Sequence, residues 1–321
     1  MTNLRKCIVG IRDSKLSKAQ TNLLIKEAEK IEDIRKNIQF EIQTIKTSGD
    51  IHSDVRLDTL GGKGLFTKEI EGKILEKAID VGIHSIKDVP ASDENPELKI
   101  ICWMKRDDSS DAFISNSGKN FDQLPAGSII GTSSVRRRAQ ILNLRQDMHI
   151  KLLRGNVDTR IKKLNDGQYD GIILSTAGLK RIKQDHLITE VMDHKKFLPA
   201  ACQGAVGVQA KLNNDLEEIF KPINHVITQT ECITERNILK IINANCNSPI
   251  SVFAKIVDDH IYIKCDLFDH NGSCLFREII KGPVAEHIEL SIELGKKIIK
   301  LVSQEKINQL NILEDDFNYS P

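Results

Sequence analysis

The stretch VGIHSIKDVP, residues 81–90, places Lys87 and Asp88 directly after an apolar run of Ala78, Ile79, Val81 and Ile83. That run has the composition of a buried strand. Pro90 lacks the N–H that an inner strand needs, so the strand must end before it. Open α/β sheets gather ligands at the C-terminal mouths of their strands. A lone carboxylate among cations there can accept hydrogen bonds from ligand N–H groups, pass a proton to a leaving group and stabilise a cationic intermediate. The plainer alternative is an exposed Lys87–Asp88 pair. Ser85 and Lys87 then share one face and Asp88 takes the other, as long as strand alternation persists.

The arginines are concentrated. Seven of the fourteen fall between 136 and 181: Arg136, Arg137, Arg138, Arg145, Arg154, Arg160 and Arg181. GTSSVRRR puts Thr132, Ser133 and Ser134 at a strand-to-helix turn, where free N–H groups and hydroxyls favour an anion. LRGNVDTR repeats the device, with Gly155 and Asn156 allowing close backbone approach and Arg154 and Arg160 on either side. The N-terminal half adds Arg12 and Ser14 after a first strand, and Lys63 in GGKGLF. That loop is not a Walker A motif, because Gly64 stands where Ser or Thr is required. Guanidinium forks suit carboxylates as well as phosphates. Forks spread over two α/β halves imply a cleft for a ligand with many acidic groups; surface arginines paired with carboxylates are the competing reading.

Cys246 lies in NANCNSPIS among Asn243, Asn245 and Asn247, all turn formers. A loop thiol there is a candidate nucleophile or covalent anchor, against the plainer reading of a structural cysteine. The other six cysteines form no C-x-x-C pair, and the nine histidines show no H-x-x-x-H or H-E-x-x-H spacing. Neither a disulfide frame nor a metal site is expected.

The elements that must position these residues follow from periodicity. Residues 6–11 read as a strand and 13–31 as a helix capped by Asp13 or Ser14, with Leu16, Ala19, Leu23, Leu24 and Ala28 on one face. A half-buried strand at 38–45 and a helix at 66–78 lead into the opening stretch. A second strand–helix series begins after Pro125, and FLPAACQGAVGVQAK reads as a loop returning to another strand. After about residue 226 come a helix, alternating strands at 250–268 and 274–281, and an amphipathic helix near 284–303. The order implies α/β layers followed by a small α+β domain, with a disordered tail at 314–321. The two α/β series share element order but no residue-level repeat. Net charge is +1 and aromatics are 4% of the 321 residues, which argues against a nucleic-acid binder. No apolar run approaches a membrane span. MTNLRKCIVG lacks a signal peptide's apolar core, so a cytoplasmic location is expected.

Taken together, IRDSKLSKAQ, GGKGLFTKEIE, DVGIHSIKDVP, DDSSDAFIS, LPAGSIIGTSSVRRRAQI, LRGNVDTRIKKL, YDGIILSTAGLKRI, LPAACQGAVGV and ERNILKIINANCNSPI resemble the porphobilinogen deaminase family in order and spacing over roughly residues 8–254. The resemblance implies two similar lobes like those of periplasmic binding proteins around a cleft, plus a small α+β domain. It implies boundaries at 1–104 with 204–224, 105–203 and 225–321. It implies a dipyrromethane cofactor attached through Cys246, onto which four porphobilinogens are joined head to tail with loss of ammonia, before water releases hydroxymethylbilane. Asp88 matches the catalytic aspartate. Lys87, Asp88, Thr132, Ser133, Ser134, Arg136, Arg137, Arg154 and Gly155 match cofactor contacts. Arg12, Ser14, Lys63, Phe66, Arg154, Arg160, Arg181 and Gln203 match substrate contacts. The family also implies a monomer; no metal, nucleic-acid or membrane partner is expected from the residues. The sequence departs from the family pattern at Thr59, Ala244, Asn245, Ser251 and Cys202. A non-enzymatic two-lobed polyacid-binding protein is the alternative from another class.

Overall fold

A computed structural model of the chain describes residues 4–51, 64, 66–92 and 95–312, the side chains of 50 and 51 excepted. Thr59, Lys63 and the tail expected to be disordered lie outside the described residues. The described chain forms two α/β lobes and an α+β C-terminal region, built on three sheets. It divides into two compact units, 1–107 with 205–229 and 108–204 with 230–321. The second unit groups the second lobe with the C-terminal sheet, where three domains were expected.

In the first unit the sheet order is Ile38–Ile45, Arg5–Arg12, Val81–Ser85, Val206–Lys211, Leu98–Trp103. The first three strands are parallel, and Val206–Lys211 runs antiparallel to both its neighbours. The inner strands read as near-continuous apolar runs because both faces are covered. Cys7, Val9, Ile11, Val81, Ile83, Val206 and Val208 form one core, and Ile45, Ile70, Ile74, Ile79 and Leu98 another.

The helix Lys15–Ala28 starts at Ser14, whose side chain accepts the Ser17 N–H. Its buried face differs from the expected stripe: Ser17, Gln20, Thr21, Leu24 and Ala28 are buried, while Leu23 is exposed. The polar residues are turned inward because they have partners there. Gln20 Nε2 donates to Ser85 Oγ at 2.8 Å and Thr21 Oγ1 to the Ser17 carbonyl at 2.9 Å.

In the second unit the five-stranded sheet runs His149–Lys151, Ile129–Gly131, Gly171–Ser175, Asp111–Ser115, Glu190–Val191. Again three parallel strands meet an antiparallel fourth. The two sheets share a residue-level device that the sequence comparison of the halves missed. Asp80 Oδ2 accepts the Ile8 N–H at 2.7 Å, and Asp170 Oδ2 accepts the Ile129 N–H at 2.7 Å. In each lobe a carboxylate just before the third strand of the series fixes the first.

The C-terminal sheet is the antiparallel meander Ile250–Val257, His260–Phe268, Cys274–Pro283. Its core joins Val252, Ile263 and Leu267 to Ile238, Leu294 and Ile298 of the helices Val226–Ile241 and His287–Val302. The expected strand run at 250–268 is broken into a hairpin, with Asp258 at φ 53° in the turn. A last helix, Gln304–Leu310, was not anticipated. It starts at Ser303, where φ of 67° breaks the preceding helix and the side chain caps the new one by accepting the Lys306 N–H. Among the described residues no helix is long and apolar enough to cross a membrane.

Candidate active site

The strand Val81–Ser85 does not persist through Asp88. Residues Ile86–Asp88 form a 3₁₀ turn closed by the Val89 N–H on the Ile86 carbonyl at 3.1 Å. The face alternation expected for Ser85, Lys87 and Asp88 therefore stops at Ser85. The turn is held from behind: Ile86 N–H donates to the Ala205 carbonyl at 3.1 Å. Gly207 lies against the same place, and a Cβ there would come within 2.4 Å of Ile86 Cδ1 and 3.1 Å of the Cys102 carbonyl oxygen.

Asp88 is half-buried and lines a pocket of about 360 Å³ with Arg12, Ser14, Gln20, Phe66, His84 and Ser85. Arg12 is stacked over Phe66, its guanidinium carbon 4.1 Å from the ring centroid, a cation–π contact that holds the fork in one orientation. Lys87 is exposed. His84 is buried, and its Nε2 has no hydrogen-bond partner among the described residues. Burial pushes this imidazole down to about 4, so it stays neutral at physiological pH. The first unit thus brings Arg12, Ser14, Phe66 and Asp88 together; Lys63 lies outside the described residues.

In the second unit Thr132, Ser133 and Ser134 lie between the strand Ile129–Gly131 and the helix Val135–Leu144. Ser134 caps that helix by accepting the Arg137 N–H, and its own N–H donates to Thr132 Oγ1 at 3.1 Å. Arg136 and Arg137 are both buried, and both are held by one carboxylate, Asp111. Arg136 Nη2 donates to Asp111 Oδ2 at 2.8 Å, and Nη1 to the Leu198 carbonyl at 2.7 Å. Arg137 gives Nε and Nη2 to Asp111 Oδ1, at 3.0 and 2.6 Å, and Nη1 to the Ile173 carbonyl at 2.9 Å. Gln203 Nε2 adds bonds to Asp111 Oδ1 and the Ser109 carbonyl, at 2.9 and 2.8 Å. Burial alone would raise the Asp111 carboxyl. The two guanidiniums and these hydrogen bonds reverse that and hold it well below the usual carboxylate range.

The second turn precedes the helix Val157–Asn165, capped by Asn156, whose Oδ1 accepts the Thr159 N–H at 3.0 Å. Gly155 has φ 109°, and a Cβ there would lie 2.7 Å from Thr159 Cγ2, so the turn requires glycine. Arg160 Nε donates to the Gly155 carbonyl at 2.8 Å, Arg154 is buried, and Arg181 Nη2 donates to the Gly204 carbonyl at 2.6 Å.

Cys246 is exposed, on the loop between the helix Val226–Ile241 and the strand Ile250–Val257. Asn245 and Asn247 tighten that loop: Asn245 N–H donates to Ser248 Oγ and Asn247 N–H to Asn245 Oδ1, both at 2.8 Å. Asn311 clamps it from the end of the unanticipated last helix. Its Nδ2 donates to the Asn243 carbonyl at 2.8 Å, its carbonyl accepts from Asn245 and Asn247, and its side-chain oxygen accepts from Ser248 Oγ. A thioether-bound, carboxylate-bearing group needs an accessible thiol, and the donor chemistry fits. Cys7 and Cys102 are buried, with thiols pushed up to about 12, and burial raises Cys265 and Cys274 too.

Sequence reasoning missed Asp111 and Asn311. DDSSDAFIS marked the former only as part of a motif, because its two arginine partners lie 25 and 26 residues away. Nothing local distinguishes Asn311.

The family model described as "Porphobilinogen deaminase, dipyromethane cofactor binding domain" matches residues 7–218, and "Porphobilinogen deaminase, C-terminal domain" matches 229–300. Curated relatives named porphobilinogen deaminase from Bacillus cereus (strain AH820), Bacillus thuringiensis (strain Al Hakam) and Bacillus anthracis (strain CDC 684 / NRRL 3495) are each 41% identical over 312 residues, covering 96% of this chain and 99% of the relative. Among solved structures, a TRAP periplasmic solute-binding protein from Pseudomonas putida matches at 11% identity, over 68% of this chain and 78% of that one, with a TM-score of 0.38. With both halves of its length matched and relatives aligned almost end to end, the chain belongs to the porphobilinogen deaminase family.

Proposed function

We propose that Asp88 is the catalytic carboxylate of this hydroxymethylbilane synthase and that Cys246 is its tether. The enzyme is a transferase of tetrapyrrole synthesis that condenses four porphobilinogens with loss of ammonia and releases hydroxymethylbilane by hydrolysis. The dipyrromethane, when bound, supplies the primer pyrrole to which the first unit is joined. Its attachment falls to the exposed Cys246 thiol, on the loop that Asn311 clamps.

Asp88 accepts hydrogen bonds from pyrrole N–H groups and stabilises the positive charge that develops as ammonia leaves. Its place on a closed 3₁₀ turn supports this role, because a carboxylate preorganised for cationic charge need not reorient during the reaction. Arg12, fixed over Phe66, and Ser14 bind substrate carboxylates, as do Arg154, Arg160 and Arg181. Lys63 and Lys87 supply further positive charge. Thr132, Ser133, Ser134 and Gly155 offer hydroxyls and close backbone to the cofactor's acidic arms. Arg136 and Arg137 act as a pair with Asp111, two cations against one anion, leaving one net positive charge at the turn; Gln203 holds that arrangement. The enzyme works as a cytoplasmic monomer.

One observation carries this reading: Asp88 and the stacked Arg12 line one pocket. Intact mass and ammonia release test it together. Wild type should exceed the chain mass by one dipyrromethane, Cys246→Ala should lose that increment, and Asp88→Asn should keep it while ammonia release falls by at least ~10²-fold. Undiminished release by Asp88→Asn, or an unmodified mass in active wild type, would refute the assignment.

A further inference from the structure

The helix Val135–Leu144 presents Arg136, Gln140 and Asn143 on one face, at i, i+4 and i+7. Arg136 has a role in the reading above; the other two have none. Gln140 pairs with both backbone groups of Leu198: its Oε1 accepts the Leu198 N–H at 2.7 Å and its Nε2 donates to the Leu198 carbonyl at 3.0 Å. Arg136 Nη1 donates to the same carbonyl at 2.7 Å. A third donor reaches it from the C-terminal sheet. Ser251, fully buried on the strand Ile250–Val257, donates its Oγ–H across 3.2 Å. Further along the helix, Asn143 Nδ2 donates to the Gly272 carbonyl at 2.9 Å. Gly272 lies between the strands His260–Phe268 and Cys274–Pro283 at φ 89°, and a Cβ there would come within 2.7 Å of the Asn143 nitrogen. Helix and turn therefore meet backbone to backbone. All of these residues belong to the second unit.

We propose that Ser251 is a positioning residue for the reaction: through the Leu198 carbonyl it sets the strand that follows the tether in register with Arg136. The inference rests on the reading of Cys246 as tether and of Arg136 as a contact to the cofactor's acidic arms. Ser251 is five positions after Cys246, and the chain between them is closely held. Asn245 N–H donates to Ser248 Oγ at 2.8 Å, Ile250 N–H to the Ser248 carbonyl at 2.8 Å and Phe268 N–H to the Pro249 carbonyl at 3.1 Å. A shift of Ser251 is passed to the tether. On the other side, the Arg136 fork takes its direction from the Leu198 carbonyl and from Asp111, so a shift of Leu198 is passed to the guanidinium. The contact at Gly272 fixes the far end of the helix on the same sheet; one contact leaves a pivot and two remove it. A carbonyl oxygen has two lone pairs, and Arg136 and Gln140 are its closer donors. Removing the Ser251 hydroxyl thus leaves Leu198 satisfied, and what changes is alignment more than stability. The local sequence hides this role, because the partner is 53 residues away.

The test uses the full-length holoenzyme. In Ser251→Ala the Tm and the fraction of chains carrying the dipyrromethane mass should match wild type. The first porphobilinogen addition, read as enzyme-bound mass after rapid mixing and counted per modified chain, should slow about 2–10-fold, the effect of one lost hydrogen bond. KM should stay unchanged, because Arg12 and Ser14 are not involved. Ser251→Thr keeps the hydroxyl on a strand that suits a β-branched residue and should restore the rate. Asn143→Ala should slow the same step, because it releases the other end of the helix. A wild-type rate in Ser251→Ala, a slowing that Ser251→Thr shares, an effect on KM alone, or a slowing matched by a loss of Tm would each overturn the inference. Failure of the underlying reading looks different: an unmodified mass in active wild type, or a mass increment kept by Cys246→Ala, removes the tether itself whatever the Ser251 variants do.

Discussion

At the residue scale, arginine count and available positive charge are different quantities. Arg136 and Arg137 direct five N–H donors to Asp111 and to backbone carbonyls, all of it buried. Removing a buried partner leaves charge without compensation, which typically costs 3–5 kcal/mol. Asp111→Ala should therefore lower stability by about 3–5 kcal/mol, read as a fall in the urea midpoint. Loss of the exposed Arg5–Asp215 pair by Asp215→Ala should change it by less than about 1 kcal/mol; equal effects would contradict the structural weight given to Asp111. His84 gives a pH signature. Its folded pKa is about 4 against 6.5 for the free group, so between those values the unfolded chain holds a proton that the folded one does not. Its contribution is fully present above about pH 6.5 and is lost as pH falls towards 4, by about 3 kcal/mol in all. His84→Gln should flatten the stability profile over that window relative to wild type, and denaturant titrations at a series of pH values would show it.

At the element scale, the site is carried by strand-to-helix turns, and these were the most legible part of the sequence. Ser14, Ser134 and Asn156 cap the helices they precede, because short polar side chains that satisfy free N–H groups are local signals. The strand before Asp88 was readable from its apolar run for the same reason. What was not legible depends on distant partners. The helix Lys15–Ala28 buries Gln20 rather than Leu23 because Ser85, sixty-five residues on, supplies an acceptor. The break at Ser303 and the helix after it were missed because the interrupting residue is a serine at positive φ, not glycine or proline. That helix matters, since Asn311 at its end clamps the Cys246 loop. Net hydrogen bonds are worth about 0.5–1.5 kcal/mol each, so Asn311→Ala should destabilise the protein by about 1–3 kcal/mol. It should also slow the mass increase when apo-protein is incubated with porphobilinogen. A drop in Tm with an unchanged rate of modification would confine Asn311 to a structural role.

At the scale of the whole molecule, the first unit is built from two stretches of chain that are ninety-seven residues apart, 1–107 and 205–229. The late stretch supplies Val206–Lys211, which pairs with Val81–Ser85 on one side and Leu98–Trp103 on the other. Without it Leu98–Trp103 has no neighbour in the sheet, and Val206, Val208 and Ala210 leave the core. Burying a valine side chain is worth about 1.5–3 kcal/mol, so these losses are comparable to the total stability of a domain, about 5–15 kcal/mol. The same stretch carries Ala205, whose carbonyl accepts the Ile86 N–H behind Asp88. Formation of the turn that carries Asp88 thus waits on residues made more than a hundred positions later, a long-range closure that slows folding. A fragment ending at residue 204 should lack amide-exchange protection at Val81, Ile83 and Ile86 that the full chain shows. The second sheet keeps all five of its strands within that fragment and serves as the internal reference. Protection at Val81 and Ile86 as strong as in the full chain would mean that the returning strand is dispensable, and that the placement of Asp88 is set locally.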